Sequence, residues 1–246
     1  MIVLHTLPGA WELTSLSPFC TKLETWLRMA GLPFEARPAD PRRAPKGKCP
    51  FVESEGCLIG DSQLIIQQLS AQRAVTLDAW LSTAQHRAGH ALRRMLEEGT
   101  YFGLGHARWQ HEEGYRVYQH AFRAMMPPLV RDVVPRLIRR GMIKALRAQG
   151  TGRHGFGEIQ AMIRADLEAL AAQLGAQDYL FGAQSCSYDA VAYAFVDGLL
   201  GFPVPSPAGD WLRAHAALVA YRARIRARWY PQGPSLRTLR LPSAVH

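Results

Sequence analysis

The chain has 246 residues, 48% of them hydrophobic and 20% charged, with a formal net charge of +9. That length suits one large domain or two modest ones, and the composition excludes an intrinsically disordered chain. Four widely separated cysteines with no CxxC pair exclude a zinc-ribbon site and a secreted disulfide framework.

The N-terminus, MIVLHTLPG, lacks the basic and apolar regions of a secretory signal, so a cytoplasmic protein is expected. Ile2-Val3-Leu4 reads as a first strand. Ser17 is a good helix cap, and Pro18 fits the first turn of a helix running to Ala30, where Gly31 stops it. Phe19, Leu23, Trp26, Leu27 and Ala30 form its apolar stripe. Phe34–Arg37, Phe51–Glu53 and Cys57–Ile59 are further strands, the last two joined across Glu55-Gly56. Ser62–Gln72 is a second helix. This order predicts a small α/β domain with a mixed sheet over residues 1–74.

Past residue 75 the strand signals vanish. Helices are predicted over Thr76–Glu98, Glu113–Met126, Leu129–Ala148, Glu158–Leu174, Tyr188–Leu200 and Asp210–Arg228. Met126-Pro127-Pro128 and Phe202-Pro203-Val204-Pro205 set boundaries between them. The result is an all-α domain over 76–232 followed by an extended polar tail, 233–246. The longest apolar run, Ala190–Val204, carries Asp197 and is too short to cross a bilayer, so no transmembrane segment is expected. The arginines at 222, 224, 226 and 228 flank an amphipathic helix and read as a solvated basic surface, not a nucleic-acid site.

Several short motifs have ordinary explanations. Gly150-Thr151-Gly152-Arg153-His154-Gly155 spells GxGxxG, but no strand precedes it, so a flexible inter-helix loop is expected in place of a phosphate cradle. His86 and His90 have metal-ligand spacing without a third ligand, so no metal is expected. Ser17 and Cys20 are stronger. Both lie at a helix N-terminus after a strand and loop, where free N–H groups favour an anion or a thiolate. The bland alternative makes Ser17 a cap and Cys20 a small core residue. Lys48-Cys49-Pro50 before a strand and Asp61-Ser62 opening a helix add two more loop ends, which this order of elements places along one side of the sheet.

Through Ser17-Pro18-Phe19-Cys20, Pro45-Lys46-Gly47-Lys48-Cys49-Pro50 and Asp61-Ser62, nearly the whole chain resembles the glutathione S-transferase superfamily. The stretches LSPFCTKLETWLRMAGLPFE, APKGKCPFVE and IGDSQLII look most like its failed-axon-connections and metaxin branch. The resemblance implies a thioredoxin-like N-terminal domain and an all-helical C-terminal domain, with glutathione as co-substrate, a small hydrophobic electrophile and a homodimer. Ser17 would donate to the glutathione thiolate, with Ser15 and Cys20 as further catalytic candidates. Cys49, ahead of a cis-Pro50, would pair its backbone with the cysteinyl amide. Asp61 and Ser62 would hold the γ-glutamyl end, and Lys46 or Lys48 the glycyl carboxylate. Phe19 joins this substrate-binding set, and Tyr101, Phe102, Trp109 and Tyr115 are candidate walls for the electrophile. The sequence departs from the superfamily's Ser/Thr-x-x-Asp helix start at Cys186-Ser187-Tyr188-Asp189, where Ser185 or Ser187 would have to substitute for the cap. A second reading keeps the fold as a non-catalytic binding or scaffold protein.

Overall fold

The computed structural model describes residues 1–40 and 42–241, so the last five residues of the expected tail lie outside the described residues. Four strands, β1 (Ile2–Thr6), β2 (Phe34–Pro38), β3 (Phe51–Ser54) and β4 (Cys57–Gly60), form one sheet in the order β2-β1-β3-β4. β1 and β2 are parallel; β1–β3 and β3–β4 are antiparallel. The β3–β4 turn is the expected Glu55-Gly56, both at positive φ, the geometry that matches the twist of a tight hairpin.

Alternation along β1 and β3 sends Ile2, Leu4 and Val52 to one face. Two helices cover that face: α1 (Pro18–Met29) through Leu23, Trp26 and Leu27, and α2 (Ser62–Gln72) through Ile65, Ile66 and Leu69. Each of these side chains contributes about 2 kcal/mol by leaving water. Helix α1 is buried on its other side as well. Lys22, Glu24 and Thr25 face away from the sheet and are 2% exposed or less. α8 (Ser187–Leu200) packs on this helix, the end of the chain meets Glu24 and Thr25, and Lys22 meets Gln63 and Glu97.

Among the described residues everything after β4 is helical or irregular. The second part comprises α3 (Thr83–Met95), α4 (Tyr101–Gly105), α5 (Glu112–Met125), α6 (Val134–Gln149), α7 (Phe156–Leu174), α8, α9 (Pro207–Ala214) and α10 (Ala216–Trp229). α3 starts later than the predicted Thr76, because Ser82 and Gln85 form a reciprocal capping box. It then continues past Glu98 through a π-helical turn (Leu96–Thr100), α4 and a second π-helical turn (His106–Gln110). Gly99, Gly103 and Gly105 hide this stretch from a propensity reading. α6 begins five residues later than expected, after turns over 129–133. The predicted helix 210–228 is two helices, broken at His215.

Two further stretches pack on the rest of the chain. The GxGxxG stretch is an ordered 3₁₀ turn (Thr151–Arg153) whose Gly152 is buried and accepts from Gln110 Nε2 at 3.0 Å. The tail, as far as it is described, folds back onto the chain: Ser235 donates to Glu24, and the Leu239 N–H donates to the Gly9 carbonyl at 2.9 Å.

Candidate functional site

The sheet register brings the candidate residues together. His5 pairs with Phe51, and Phe51 pairs with Gly60, so the end of β1, the start of β3 and the end of β4 lie in one row. From that row the chain leads into the loop ending at Ser17, arrives from the Cys49–Pro50 bond, which is cis, and leaves through Asp61 and Ser62. Three helix or strand ends therefore open on one rim of the sheet.

At the first, Ser17 occupies the N-cap position of α1 with extended backbone, half-buried. Its hydroxyl caps no backbone N–H. Ser15 is already committed: its buried hydroxyl donates to the Leu7 carbonyl at 2.8 Å and accepts from the Ser17 N–H at 3.3 Å. It therefore shapes the loop beneath Ser17. Cys20 is fully buried, and desolvation pushes its thiol up against the opposing pull of Thr6, Leu7, Ser17 and Ser15. The thiolate considered for Cys20 at the helix start is thus disfavoured, because burial outweighs the helix terminus.

Burial likewise pushes the Cys49 thiol up, to about 12. Pro50 is buried, while Lys46 and Lys48 are exposed on the loop before it. Asp61 sits at φ +83°, a left-handed conformation costly for a side-chain-bearing residue. There its carboxylate accepts from the N–H groups of Gln63 and Leu64 at 3.0 and 3.2 Å. Ser62, a buried residue, opens the helix beside it, at a terminus of the kind that favours an anion.

The helical half packs against the start of α1. Phe19 packs on Tyr101 at 4.8 Å and on Phe195 at 6.3 Å between ring centres, and Phe102 contacts Tyr101 edge-on. Trp109 and Tyr115 instead belong to a separate core with Tyr118 and Phe202, so they do not line the rim.

Sequence reasoning missed the groups that hold the Ser17 loop. Arg108 donates to the carbonyls of Leu16, at 3.1 Å, and Gly198, at 2.6 Å, while the Tyr118 hydroxyl donates to Leu16 at 2.7 Å. Asp197 accepts from the Thr14 N–H at 2.8 Å and is paired with Arg222 and Arg226. Gly201 lets this loop approach α8; a Cβ there would meet the backbone of Glu12 and Leu13 at 2.9 Å. An aspartate inside the apolar run AVAYAFVDGLL was the available signal. The arginines of α10 are accordingly staples: Arg222 and Arg226 hold Asp197, and Arg224 holds Asp178.

Behind the rim lies a buried ion pair. Lys22, at 0% exposure, donates to Glu97 at 2.6 Å and to Gln63 of α2 at 2.9 Å, and Glu97 also receives Arg93 at 2.7 Å. The first π-helical turn carries Glu97 into this position. At the start of α8, Asp189 accepts from the Cys186 and Leu180 N–H groups and from Tyr221. Ser187 caps no helix N–H; its N–H and hydroxyl both go to Asp78. Among the described residues no group of three or more His, Cys, Asp or Glu side chains could hold a metal.

Comparison with known proteins agrees with this fold. Residues 18–114 match the glutathione S-transferase N-terminal domain family, and residues 163–225 the glutathione S-transferase C-terminal domain family. Failed axon connections of Drosophila melanogaster is 30% identical over 94% of the chain, which spans 58% of that protein's length. An isoprene-epoxide–glutathione S-transferase of Rhodococcus sp. strain AD45 is 29% identical over 93% of this chain and 99% of its own. Metaxin-3 of Xenopus laevis is 27% identical over 80% of this chain and 66% of its own. A glutathione transferase family member from Pseudomonas fluorescens, solved with two glutathione molecules bound, superposes with a TM-score of 0.60 at 17% identity, covering 92% of this chain and 88% of that one. The chain belongs to the glutathione S-transferase superfamily and has relatives in its failed-axon-connections and metaxin branch.

Proposed function

We propose that the protein binds glutathione on the rim formed by Ser17, Cys49–Pro50 and Asp61–Ser62 and activates its thiol for attack on a small hydrophobic electrophile. The observation that carries this reading is the Ser17 hydroxyl, which caps no backbone N–H at the start of α1, on the same rim as the Asp61-capped start of α2 at Ser62. Ser62 takes the γ-glutamyl carboxylate, and the Asp61 carboxylate favours the adjacent ammonium. The backbone of Cys49 meets the cysteinyl amide, and Lys46 or Lys48 the glycyl carboxylate. Ser17 then donates to the sulfur, and each unit by which the thiol pKa falls from ~8.5 represents ~1.4 kcal/mol of preference for the thiolate. Phe19, Tyr101 and Phe102 offer the electrophile an apolar wall. The same reading expects a cytoplasmic homodimer. Exposed Leu58 and Leu64, which flank a shallow groove beside Gly60, favour a partner subunit there.

The test is calorimetric titration with glutathione, followed by conjugation assays over a panel of epoxides and aryl halides. Wild type binds and turns over. Ser17→Ala keeps binding within a few-fold but loses about 10- to 100-fold in kcat/KM, as its bound thiol returns toward ~8.5. Binding without turnover on any electrophile would favour the scaffold reading, and absence of binding would refute the site.

A further inference from the structure

The α5–α6 hairpin carries a surface that the glutathione site does not use. Leu129 is 95% exposed, and Val130, Val133 and Leu137 are exposed with it, four of the large apolar side chains in water within nine residues. Leu129, Val133 and Leu137 are spaced by four, so they project from one side of the turns leading into α6. The same side of α6 continues as Arg136, Arg140, Lys144 and Arg147, all exposed. No carboxylate pairs with any of these four among the described residues. The one acidic residue between 129 and 149, Asp132, is taken by Arg123 at 2.5 Å. Beyond Arg147 the cationic strip runs into a shallow depression lined by Arg147, Ala148, Gly152 and Arg153.

We propose that this face of the hairpin, from Leu129 to Arg147, is a peripheral docking surface for an anionic lipid bilayer. Apolar side chains at one end enter the acyl boundary while unpaired cations along the helix meet lipid phosphates, the division of labour of an interfacial helix. A second copy of the chain is a poorer occupant, since a two-fold contact would set this cationic strip against itself or against the partner's apolar end. Nucleic acid would satisfy the cations and leave the leucines in water. No helix among the described residues is long and apolar enough to cross a membrane.

Cosedimentation of the full chain with vesicles tests this, using phosphatidylcholine alone and phosphatidylcholine mixed with phosphatidylglycerol. Wild type pellets with the mixed vesicles and not with the neutral ones. The charge variant R136Q/R140Q/K144Q and the apolar variant L129S/V133S/L137S each lose about tenfold or more in partitioning. Both variants keep the wild-type melting temperature, because the altered side chains are exposed. Failure of wild type to pellet with anionic vesicles overturns the proposal, as does undiminished pelleting of the apolar variant. It also falls if wild type is a dimer in free solution that the apolar variant renders monomeric while neither pellets.

Discussion

Removing Glu97 should damage the fold more than removing its partner Lys22. Lys22 is fully buried, and Glu97 is the carboxylate it touches; Gln63 supplies only a neutral acceptor. Glu97→Ala therefore strands an ammonium in the interior, which costs about 3–5 kcal/mol. Lys22→Met leaves Glu97 still paired with Arg93 at 2.7 Å and fills the space with an apolar chain. Its cost is about 1–2 kcal/mol, the net loss of one charge-assisted hydrogen bond. Adding Lys22→Met to Glu97→Ala should restore part of the deficit, because the stranded charge is gone. Burial already holds the Lys22 ammonium below its ordinary value of 10.5, with Glu97 as the largest opposing influence. Glu97→Ala lowers it further, so the native state binds fewer protons than the unfolded state, and stability rises as pH climbs toward 10.5. The deficit relative to wild type is therefore largest near neutrality and narrows on the alkaline side. Urea midpoints from tryptophan fluorescence, taken across that range, measure it. A Lys22→Met variant less stable than Glu97→Ala, or a deficit that grows with pH, would refute the reasoning.

Asp61→Gly relieves the left-handed backbone at +83° but loses a cap worth ~1 kcal/mol, so its melting temperature stays near wild type while glutathione affinity falls about tenfold. Calorimetry on the same preparation reads both quantities. Alkylation of the native protein with iodoacetamide followed by mass spectrometry should modify exposed Cys57 first and leave buried Cys20 and Cys186 untouched. Cys20→Ser should retain conjugating activity within about twofold, whereas a serine-independent mechanism running through Cys20 would lose it. Arg108→Lys cannot reach the Leu16 and Gly198 carbonyls with one planar fork, and should cost ~1–3 kcal/mol while lowering kcat more than glutathione affinity.

The thioredoxin-like half was legible because its signals are local. Strand alternation, the Glu55-Gly56 turn, Pro18 in the first turn of α1 and Gly31 after it can each be read within a few residues. The rim of Ser17, Pro50 and Ser62 followed from element order alone. The helical half was less transparent where glycine and long-range capping intervene. Residues 99–105 fold as helix because packing against α7 and α8 outweighs the propensity cost of three glycines. Cys20 could not be assigned from its position at the helix start, since whether burial or the helix terminus wins depends on what lies on the far side of α1. The α10 arginines looked solvated because their partners, Asp197, Asp178 and Glu12, are distant in sequence.

The loop that ends at Ser17 is held in place by residues made much later. Leu16 waits for Arg108, Thr14 for Asp197, and Gly9 for Leu239. During synthesis the sheet and its two helices can collect their own apolar face long before those partners leave the ribosome. The Ser17 loop has only its own local bonds, such as Leu16 N–H to Pro8 and Ser15 to Leu7, until Arg108, Asp197 and Leu239 have been translated. The geometry of the rim is thus coupled to translation through residue 239, and a nascent chain stalled before that point presents the sheet without a finished rim.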